Sequence, residues 1–385
     1  MPRSLKVDVN PKIFQWLRES SGWSIEDVVK RLNTSIKVVR AIEKGERQPT
    51  LRQLKVLSKA YKRPLAAFFL PKPVKEPPMP KDYRMLPDKK DIFDKKTIYI
   101  IRKARSLQKI GAELSGNIKY STKPTIKRTS TKIKPEDLAA KYREQFGLTE
   151  DIQRKFKTPY EFFNYLRDIF EDMNILVFQF SMPVEDARGF VLTDNTPNVI
   201  VVNSNDSIEA RLFSLMHEFG HVLLSDTVID LPDITTRFRD NVEKWCNEFA
   251  SGFLLPRDLA KEIFKSEERA LTDTKTLNSF SYHYKVSKAM LLYNMLKQNF
   301  ITSAEFKETL DRYKPREPDE VADKETKKKG WGLPQDKRCL SKVGNKFVSI
   351  VASNYDKNYI TYTDALNYLS VKSRNFDKVL AKARK

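Results

Sequence analysis

The stretch "RLFSLMHEFGHVLL", residues 211–224, contains two of the three histidines in the 385-residue chain. Residues four positions apart lie on the same face of an α-helix, one turn apart. His217 and His221 can therefore present two imidazole rings to a single metal ion. Apolar residues surround both histidines on nearly every side, which indicates a buried helix, and buried histidines need polar partners. The stretch thus predicts a buried helix that carries a metal-binding pair.

The residue that follows the first histidine adds a chemical function to this pair. Glu218 is offset from the two rings, so it is poorly placed as a third ligand but can act on a water molecule at the metal. His-Glu-x-x-His is the spacing of zinc peptidases, in which the glutamate is the general base. The motif therefore predicts one zinc ion (Zn2+) per chain, held by His217 and His221, with Glu218 as the catalytic residue.

A third ligand is expected downstream, because catalytic zinc usually takes three protein ligands and keeps one position open. Glu243 lies 22 residues after His221 on the next predicted helix, "NVEKWCNEFASGFLL", and is the favoured candidate. Glu248, on the same helix, is the alternative. Four other possible donors are less favoured. Asp226 and Asp230 are typical of solvated loop acids, His283 of a helix-surface or partly buried histidine, and Cys246 of a small buried thiol.

Three short runs of β-branched and aromatic residues precede the motif: "ILVFQF" (175–180), "GFVL" (189–192) and "NVIVVN" (198–203). Such runs predict strands. Asp206, with Glu209 three residues later, predicts an N-cap and a capping box at the start of the metal-binding helix. Most of the remaining chain has helical periodicity. The expected fold class is therefore α+β, with one small β-sheet.

The net charge of +21, from 71 basic and 50 acidic residues, favours binding to polyanions. The excess is uneven, because residues 95–134 contain 12 basic residues and one acid, whereas residues 206–258 contain ten acids and five basic residues. No apolar run reaches the length of about 18 residues that a membrane helix needs, and the first residues lack the apolar core of a signal peptide. Only two cysteines occur, far apart in the sequence. We therefore expect a cytoplasmic protein without a disulfide framework and without a membrane partner.

Composition divides the chain into five segments. Residues 1–70 contain short predicted helices separated by turns, and residues 71–90 form a proline-rich linker. Residues 91–313 form the predicted metal-binding domain. Residues 314–338 form a charged linker, and residues 339–385 form a helical tail that is either structural or dimer-forming, so that a homodimer is one expectation.

The two helical motifs together resemble the ImmA/IrrE family of metallopeptidases. "RLFSLMHEFGHVLL" followed by "EKWCNEFASGFLLP" is similar to the family's pairing of a buried H-E-x-x-H helix with an E-x-x-A-N-x-F-A helix that ends in Leu-x-Pro. The resemblance covers roughly residues 85–300. It implies a zincin-like α+β domain in which His217, His221 and Glu243 are the zinc ligands and Glu218 is the general base. It also implies that the protein substrate is a helix-turn-helix repressor.

The N-terminal stretch "WSIEDVVKRLNTSIKVVRAIEKGERQPTLRQLKVLSKAY" resembles the helix-turn-helix of the lambda-repressor/Cro-like (XRE) family. It contains two short predicted helices, a turn at Asn33–Thr34, and an apolar side of the second helix at Val38, Val39 and Ile42. The alternative to a DNA-binding module is a helical protein-docking module. The resemblance implies contacts with duplex DNA at the outward side of the second helix and just after it. These are Ser35, Ile36, Lys37 and Ala41 at the major groove, Lys44 and Arg47 near phosphates, and Arg40 on the same outward side.

Two functional hypotheses follow from these motifs. The first is a zinc endopeptidase (H-E-x-x-H, gluzincin-like) fused to a DNA-binding domain, which controls transcription by cleaving a repressor. The second is an antitoxin-like DNA-binding regulator whose metal domain is sensory or structural. Glu218 favours the first hypothesis, because a purely structural zinc site does not require it.

Overall fold

The computed structural model describes residues 5–75, 93–224, 236–313 and 334–383. The fold is mostly helical (64%), and the described part contains a single three-stranded sheet. The predicted α+β class is therefore confirmed. None of the helices within these ranges is long and apolar enough to cross a bilayer.

The described residues form two compact units, the first of which consists of residues 5–75, 93–103 and 185–187. Short helices in this unit surround an apolar core in which the side chains of Phe14 and Tyr61 are almost fully buried. Its first elements are α1 (Pro11–Glu19), α2 (Ile25–Leu32), α3 (Ile36–Glu43), α4 (Leu51–Tyr61) and a 3₁₀ turn (Leu65–Phe69).

Local sequence determines the connection between α2 and α3. Ser24 and Asp27 form the capping box at the start of α2, each side chain accepting a hydrogen bond from the backbone N–H of the other residue. Asn33 ends α2 in the left-handed conformation, with φ of 49°, which asparagine tolerates better than most residues. The predicted turn at Asn33–Thr34 is therefore confirmed.

The second unit contains the sheet, whose strands are β1 (Ile175–Phe180), β2 (Gly189–Leu192) and β3 (Asn198–Asn203). These are the three runs predicted from the sequence, with the same bounds. The order is β1-β3-β2, in which β3 pairs with β1 in parallel and with β2 antiparallel. Within the described residues, β2 therefore lies at one edge of the sheet.

The metal-binding motif lies on α9 (Ile208–Leu223), which packs against β3 and α10 (Thr236–Leu254). Its Phe219 ring stacks on Phe170, with 4.5 Å between ring centroids, in a core rich in aromatic residues. The helix is buried nearly all round, as predicted. The other elements before the C-terminal part are α5 (Lys95–Asn117), α6 (Pro135–Gln145), α7 (Glu150–Lys155), α8 (Pro159–Asp172), α11 (Arg257–Ser266), a 3₁₀ turn (Glu268–Ala270), α12 (Thr274–Tyr284), α13 (Lys288–Lys297) and α14 (Ser303–Arg312).

The start of α9 differs from the prediction by one residue. Ser207 is the N-cap, and its hydroxyl accepts a hydrogen bond from the backbone N–H of Ala210. Asp206 Oδ1 instead accepts a hydrogen bond from the backbone N–H of Ser207. The predicted Asp206–Glu209 capping box is therefore wrong. Serine and aspartate cap helices about equally well, so the sequence did not distinguish these neighbours.

Helices make up the described C-terminal part of the chain. They are α15 (Gln335–Asp356), α16 (Tyr362–Leu369), a 3₁₀ turn (Ser373–Asn375) and α17 (Phe376–Ala383). The first of them packs against β1 and α8, and its fully buried Phe347 meets Phe178 edge to face with 5.8 Å between centroids. It begins before the predicted end of the charged linker. Residues 76–90 of the proline-rich linker and residues 314–333 of the charged linker lie outside the described residues.

Candidate functional site

His217, His221 and Glu243 lie together where α9 meets α10. One ligand atom from each residue lies within 4.8 Å of the other two. The Nε2 atoms of the two histidines are 3.1 Å apart. Glu243 Oε2 lies 3.3 Å from His217 Nε2, and Glu243 Oε1 lies 3.0 Å from His221 Nε2. The fold therefore brings together the three residues that the sequence suggested as metal ligands.

A glycine allows the two helices to approach closely enough for this arrangement. A Cβ atom built on Gly220 would lie only 3.1 Å from Sγ of Cys246 and 3.4 Å from its Cα. Because glycine has no Cβ, α10 can pass close to the His217–His221 face of α9. Glu243, three residues before Cys246 on α10, thereby reaches both imidazoles.

Asn247 fixes the orientation of the His217 ring. Its Oδ1 lies 2.9 Å from His217 Nδ1. Since a carbonyl oxygen can only accept, Nδ1 carries the proton and Nε2 presents its lone pair to the cluster. Asn247 is one helical turn after Glu243, so a single face of α10 supplies both a candidate ligand and the residue that orients another.

The electrostatics of the cluster favour a cation beside an ionised carboxylate. Burial raises the pKa of Glu243, but the neighbouring His217 and His221 side chains outweigh burial and hold that pKa well below its usual range. Burial also favours the neutral form of His221, yet the side chains of Cys246, Glu243 and Glu218 raise the pKa of His221. The surroundings of the histidines therefore stabilise positive charge.

The donor set fits a zinc ion. Among the described residues, Glu243 Oε1 is a buried acceptor without a hydrogen bond of normal geometry, although His221 Nε2 lies 3.0 Å away. A buried oxygen in this position is satisfied by a cation better than by its neighbours. Two imidazoles and one carboxylate are a ligand set that catalytic zinc uses in proteins. His217, His221 and Glu243 could therefore hold a divalent metal ion.

Glu218 lies on α9 next to the first residue of the edge strand β2. Its side chain is almost completely buried, with 4% of the residue exposed. A Cβ atom on Gly189 would lie 3.0 Å from Glu218 Oε1 and 3.0 Å from the backbone oxygen of Val201. Both contacts are tighter than most Cβ contacts in proteins, so a larger residue would require a small shift of the carboxylate or of the neighbouring strand. Gly189 thus allows the candidate general base to lie close to β2.

The other candidate donors of the described chain are not part of the three-residue cluster. Glu248, the alternative third ligand, pairs with Lys297 Nζ at 2.9 Å. His283 Nδ1 lies 2.8 Å from the backbone oxygen of Ser279. Cys246 is buried, and burial raises the pKa of its thiol, so it remains a neutral neighbour of His221. Asp226 and Asp230 lie outside the described residues.

The surface of α3 carries the residues expected to contact DNA. Val39 and Ile42 are buried, as predicted, and Val38 is half-buried. Glu43, at the end of α3, pairs with Arg18 of α1 at 2.6 Å and fixes the helix to the bundle. The opposite side of α3 and the turn after it face solvent, with Ala41 half-buried and the remaining residues exposed: Ser35, Ile36, Lys37, Arg40, Lys44 and Arg47.

Two residues of the site had no role assigned from the sequence. Asn247 could have been found, because it lies four residues after Glu243 and so shares its helix face. Gly189 carried no signal of its own, since glycine at the start of a strand has many causes. Its contact with Glu218 depends on how β2 packs against α9.

Family comparisons agree with both parts of this description. Residues 170–296 match the peptidase M78 model, described as the IrrE N-terminal-like domain, and residues 14–68 match the HTH_3 helix-turn-helix model. No curated protein matches the chain. A solved structure of a Mycobacterium tuberculosis transcriptional regulator is similar over 42% of this chain and 46% of that chain, with 18% identity and a TM-score of 0.31. This chain thus spans less than half of that regulator's length. Two segments of the chain are thus similar to known families, residues 14–68 to XRE-type helix-turn-helix domains and residues 170–296 to the IrrE N-terminal-like domain of peptidase family M78.

Proposed function

We propose that this protein is a cytoplasmic zinc-dependent endopeptidase joined to a DNA-binding domain, and that it regulates transcription by cleaving a helix-turn-helix repressor. The observation that carries the proposal is the cluster of His217, His221 and Glu243 within 4.8 Å, with Glu218 on the same helix as the two histidines. A structural zinc site has no need of a carboxylate in the position of Glu218. The match to a peptidase family model supports this interpretation.

Each residue of the site has its own role in the proposed peptide hydrolysis. His217, His221 and Glu243 hold the metal, and Asn247 keeps the His217 ring in its ligating tautomer. A bound zinc ion supplies Lewis acidity, which polarises a carbonyl group and acidifies water. Glu218 accepts a proton from the attacking water molecule on its carboxylate and then donates it to the nitrogen of the leaving amine. Its burial beside Gly189 keeps the carboxylate in one position during both transfers.

The edge strand β2 offers a way to position the substrate. It is paired with β3 on one side, and no other strand of the described chain pairs with its second side. An extended peptide could add to that side through main-chain hydrogen bonds. Because β2 begins at Gly189, such a peptide would pass close to Glu218. A substrate cleaved in an exposed, extended loop fits this arrangement.

The helix-turn-helix domain would bring the peptidase to DNA. Exposed basic residues on α3 and just after it provide positive charge for contacts with DNA: Lys37, Arg40, Lys44 and Arg47. A repressor bound at a neighbouring site would then be presented to the peptidase at high local concentration. Proteolysis and DNA binding would therefore act in one pathway of transcriptional control.

Incubation of the purified, zinc-loaded chain with repressors encoded near its own gene tests the proposal, with and without a chelator. We expect a repressor to be cleaved at one bond, and the chelator to stop the reaction. Glu218→Gln should abolish cleavage and leave zinc content and DNA binding unchanged, because it removes only the proton acceptor.

If the wild-type chain and the Glu218→Gln variant regulate transcription equally, proteolysis is not the function. The antitoxin-like regulator with a sensory or structural metal domain would then be the better description. Zinc content measured in the same samples is the control, because both hypotheses require the metal and only the first requires Glu218.

A further inference from the structure

A cavity of about 350 Å³ lies close to the metal cluster, and none of its described lining residues is a candidate metal ligand. Its walls come from α9, α10 and α13. Asn247, which holds the His217 ring, forms part of one wall. Phe213 forms part of another, and its ring lies 6.4 Å from the His217 ring, measured between centroids. The cavity therefore lies close to the candidate active site, beside the part of α9 that is one helical turn before the H-E-x-x-H motif.

The lining of this cavity suits an apolar side chain. Alanine, phenylalanine, methionine and tyrosine side chains form much of it, and serine hydroxyls form most of the remainder. Arg188 is the only charged residue among the described residues that line it, and its guanidinium pairs with Asp206 at 3.4 Å. An apolar group that leaves water for such a cavity gains free energy in proportion to its area. A lysine or arginine side chain would meet the charge of Arg188 without an acid in the lining to offset it.

A second cavity, which Asn247 also lines, has the opposite chemistry. It measures about 390 Å³ and is lined by Glu243 together with charged residues of both signs. Asn247, Ser251 and Tyr293 line both cavities. A peptide bound at the metal cluster would thus have both a polar, charged recess and an apolar recess close to it. The apolar recess can favour one substrate side chain over another according to the apolar area that the side chain buries there.

We propose that the 350 Å³ cavity is the specificity pocket of the peptidase. It takes a large apolar side chain, phenylalanine, leucine or methionine, at one fixed position next to the cleaved bond, and Arg188 excludes basic side chains from it. This proposal rests on the endopeptidase function proposed above. It adds a substrate class, which is a polypeptide with an exposed apolar residue at the cleavage point.

The test uses the zinc-loaded full chain and a proteome-derived peptide library, with cleavage sites identified by mass spectrometry. We expect large apolar residues to be enriched at one fixed position by about tenfold over alanine, the discrimination typical of a hydrophobic pocket. Addition of a chelator should remove these cleavages. A chelator-sensitive activity with no preference at any position would overturn the pocket assignment and leave the peptidase standing.

Ala289→Trp tests whether this cavity causes the preference. Ala289 is exposed on α13 and lines the cavity, so an indole should fill the space without disturbing the core. We expect cleavage next to phenylalanine to fall about tenfold and small residues to replace it, with zinc content unchanged. Ala140→Trp is the matched control, because Ala140 is equally exposed on α6 and lines neither cavity. An unchanged preference in Ala289→Trp, or the same change in Ala140→Trp, would refute the assignment.

Arg188→Gln tests the exclusion of basic side chains. The amide keeps much of the side chain's length and polarity but removes the positive charge. Lysine and arginine should then become detectable at the selected position, while apolar residues remain preferred. If the Arg188→Gln variant still cleaves no peptide with a basic residue at the selected position, Arg188 is not the cause of the exclusion. If the wild-type chain cleaves no peptide of the library or repressor at all, the proposed function itself fails, which is distinguishable from a failure of the pocket alone.

Discussion

Asn247 Oδ1 accepts a hydrogen bond from His217 Nδ1 over 2.9 Å, one helical turn beyond Glu243 on the same helix. A single face of α10 thus supplies a candidate ligand and fixes the tautomer of another. Groups that orient metal ligands in this way often matter nearly as much as the ligands themselves. The contact therefore connects a side chain outside the cluster to the affinity for metal.

Asn247→Ala should weaken zinc binding by about 10- to 100-fold, because the His217 ring loses the acceptor that holds its Nδ1 proton. Asn247→Asp should restore most of the affinity, since a carboxylate oxygen accepts the same hydrogen bond. Competition with a chromophoric chelator measures both affinities. Equal zinc affinity in the wild type and the alanine variant would show that the contact has no such role.

Glu243→Ala should reduce bound zinc from about one ion per chain to a small fraction, because two imidazoles alone hold zinc weakly. Elemental analysis of protein purified without added metal measures this. Glu248→Ala is the matched control, because it removes a carboxylate from the same helix that pairs with Lys297 instead. The reverse pattern, with zinc lost only in Glu248→Ala, would transfer the third ligand to Glu248.

The sequence predicted those features of the fold that depend on short-range pattern. The bounds of β1, β2 and β3 followed from β-branched runs, and the pairing of His217 with His221 followed from helical spacing. The N-cap of α9 did not follow from the sequence, because Asp206 and Ser207 are both good N-cap residues and the backbone conformation determines which of them caps the helix. Contacts between distant segments could not be predicted either. The packing of Phe347 against β1 joins residues that lie far apart in the chain, and no local pattern signals it.

Gly189→Ala should lower the rate of peptide cleavage and leave zinc content unchanged. The added methyl group would lie 3.0 Å from Glu218 Oε1 and 3.0 Å from the backbone oxygen of Val201, so the carboxylate or the strand has to shift slightly, and Glu218 is the neighbour with a movable side chain. Steady-state kinetics should show the loss in kcat rather than KM, because the proton transfer is affected. Gly116→Ala is the control, because a Cβ at Gly116 meets nothing within 4 Å. Full activity in Gly189→Ala would mean that Glu218 tolerates displacement or is not the base.

Lys37→Glu in the full chain should weaken binding to duplex DNA and reduce the slope of log K against log salt concentration by about one. Lys37 is exposed on α3, where a basic side chain would neutralise a phosphate. Lys59→Glu makes the same charge change on the exposed side of α4 and should have a smaller effect. Fluorescence anisotropy over a range of salt concentrations measures both. DNA binding by the wild-type chain that does not change between low and moderate salt would indicate that the helix-turn-helix module docks a protein instead of DNA.

Phe347→Ala should destabilise the second unit by about 3–5 kcal/mol, the usual cost of truncating a fully buried phenylalanine. The Phe347 side chain is 0% exposed and meets Phe178 of β1 edge to face, so its loss leaves a cavity beside β1. Tyr359→Ala is the control, because Tyr359 is 54% exposed in the same C-terminal part. Denaturant unfolding followed by tryptophan fluorescence gives both free energies of unfolding.

If C-terminal residues 335–383 served only for dimer formation, Phe347→Ala would change the oligomeric state in size-exclusion chromatography and leave the unfolding of the sheet unaffected. We expect the sheet to be destabilised instead, because α15 packs directly on β1. Strand β1 pairs with β3, and β3 packs against α9, the helix that carries the H-E-x-x-H motif.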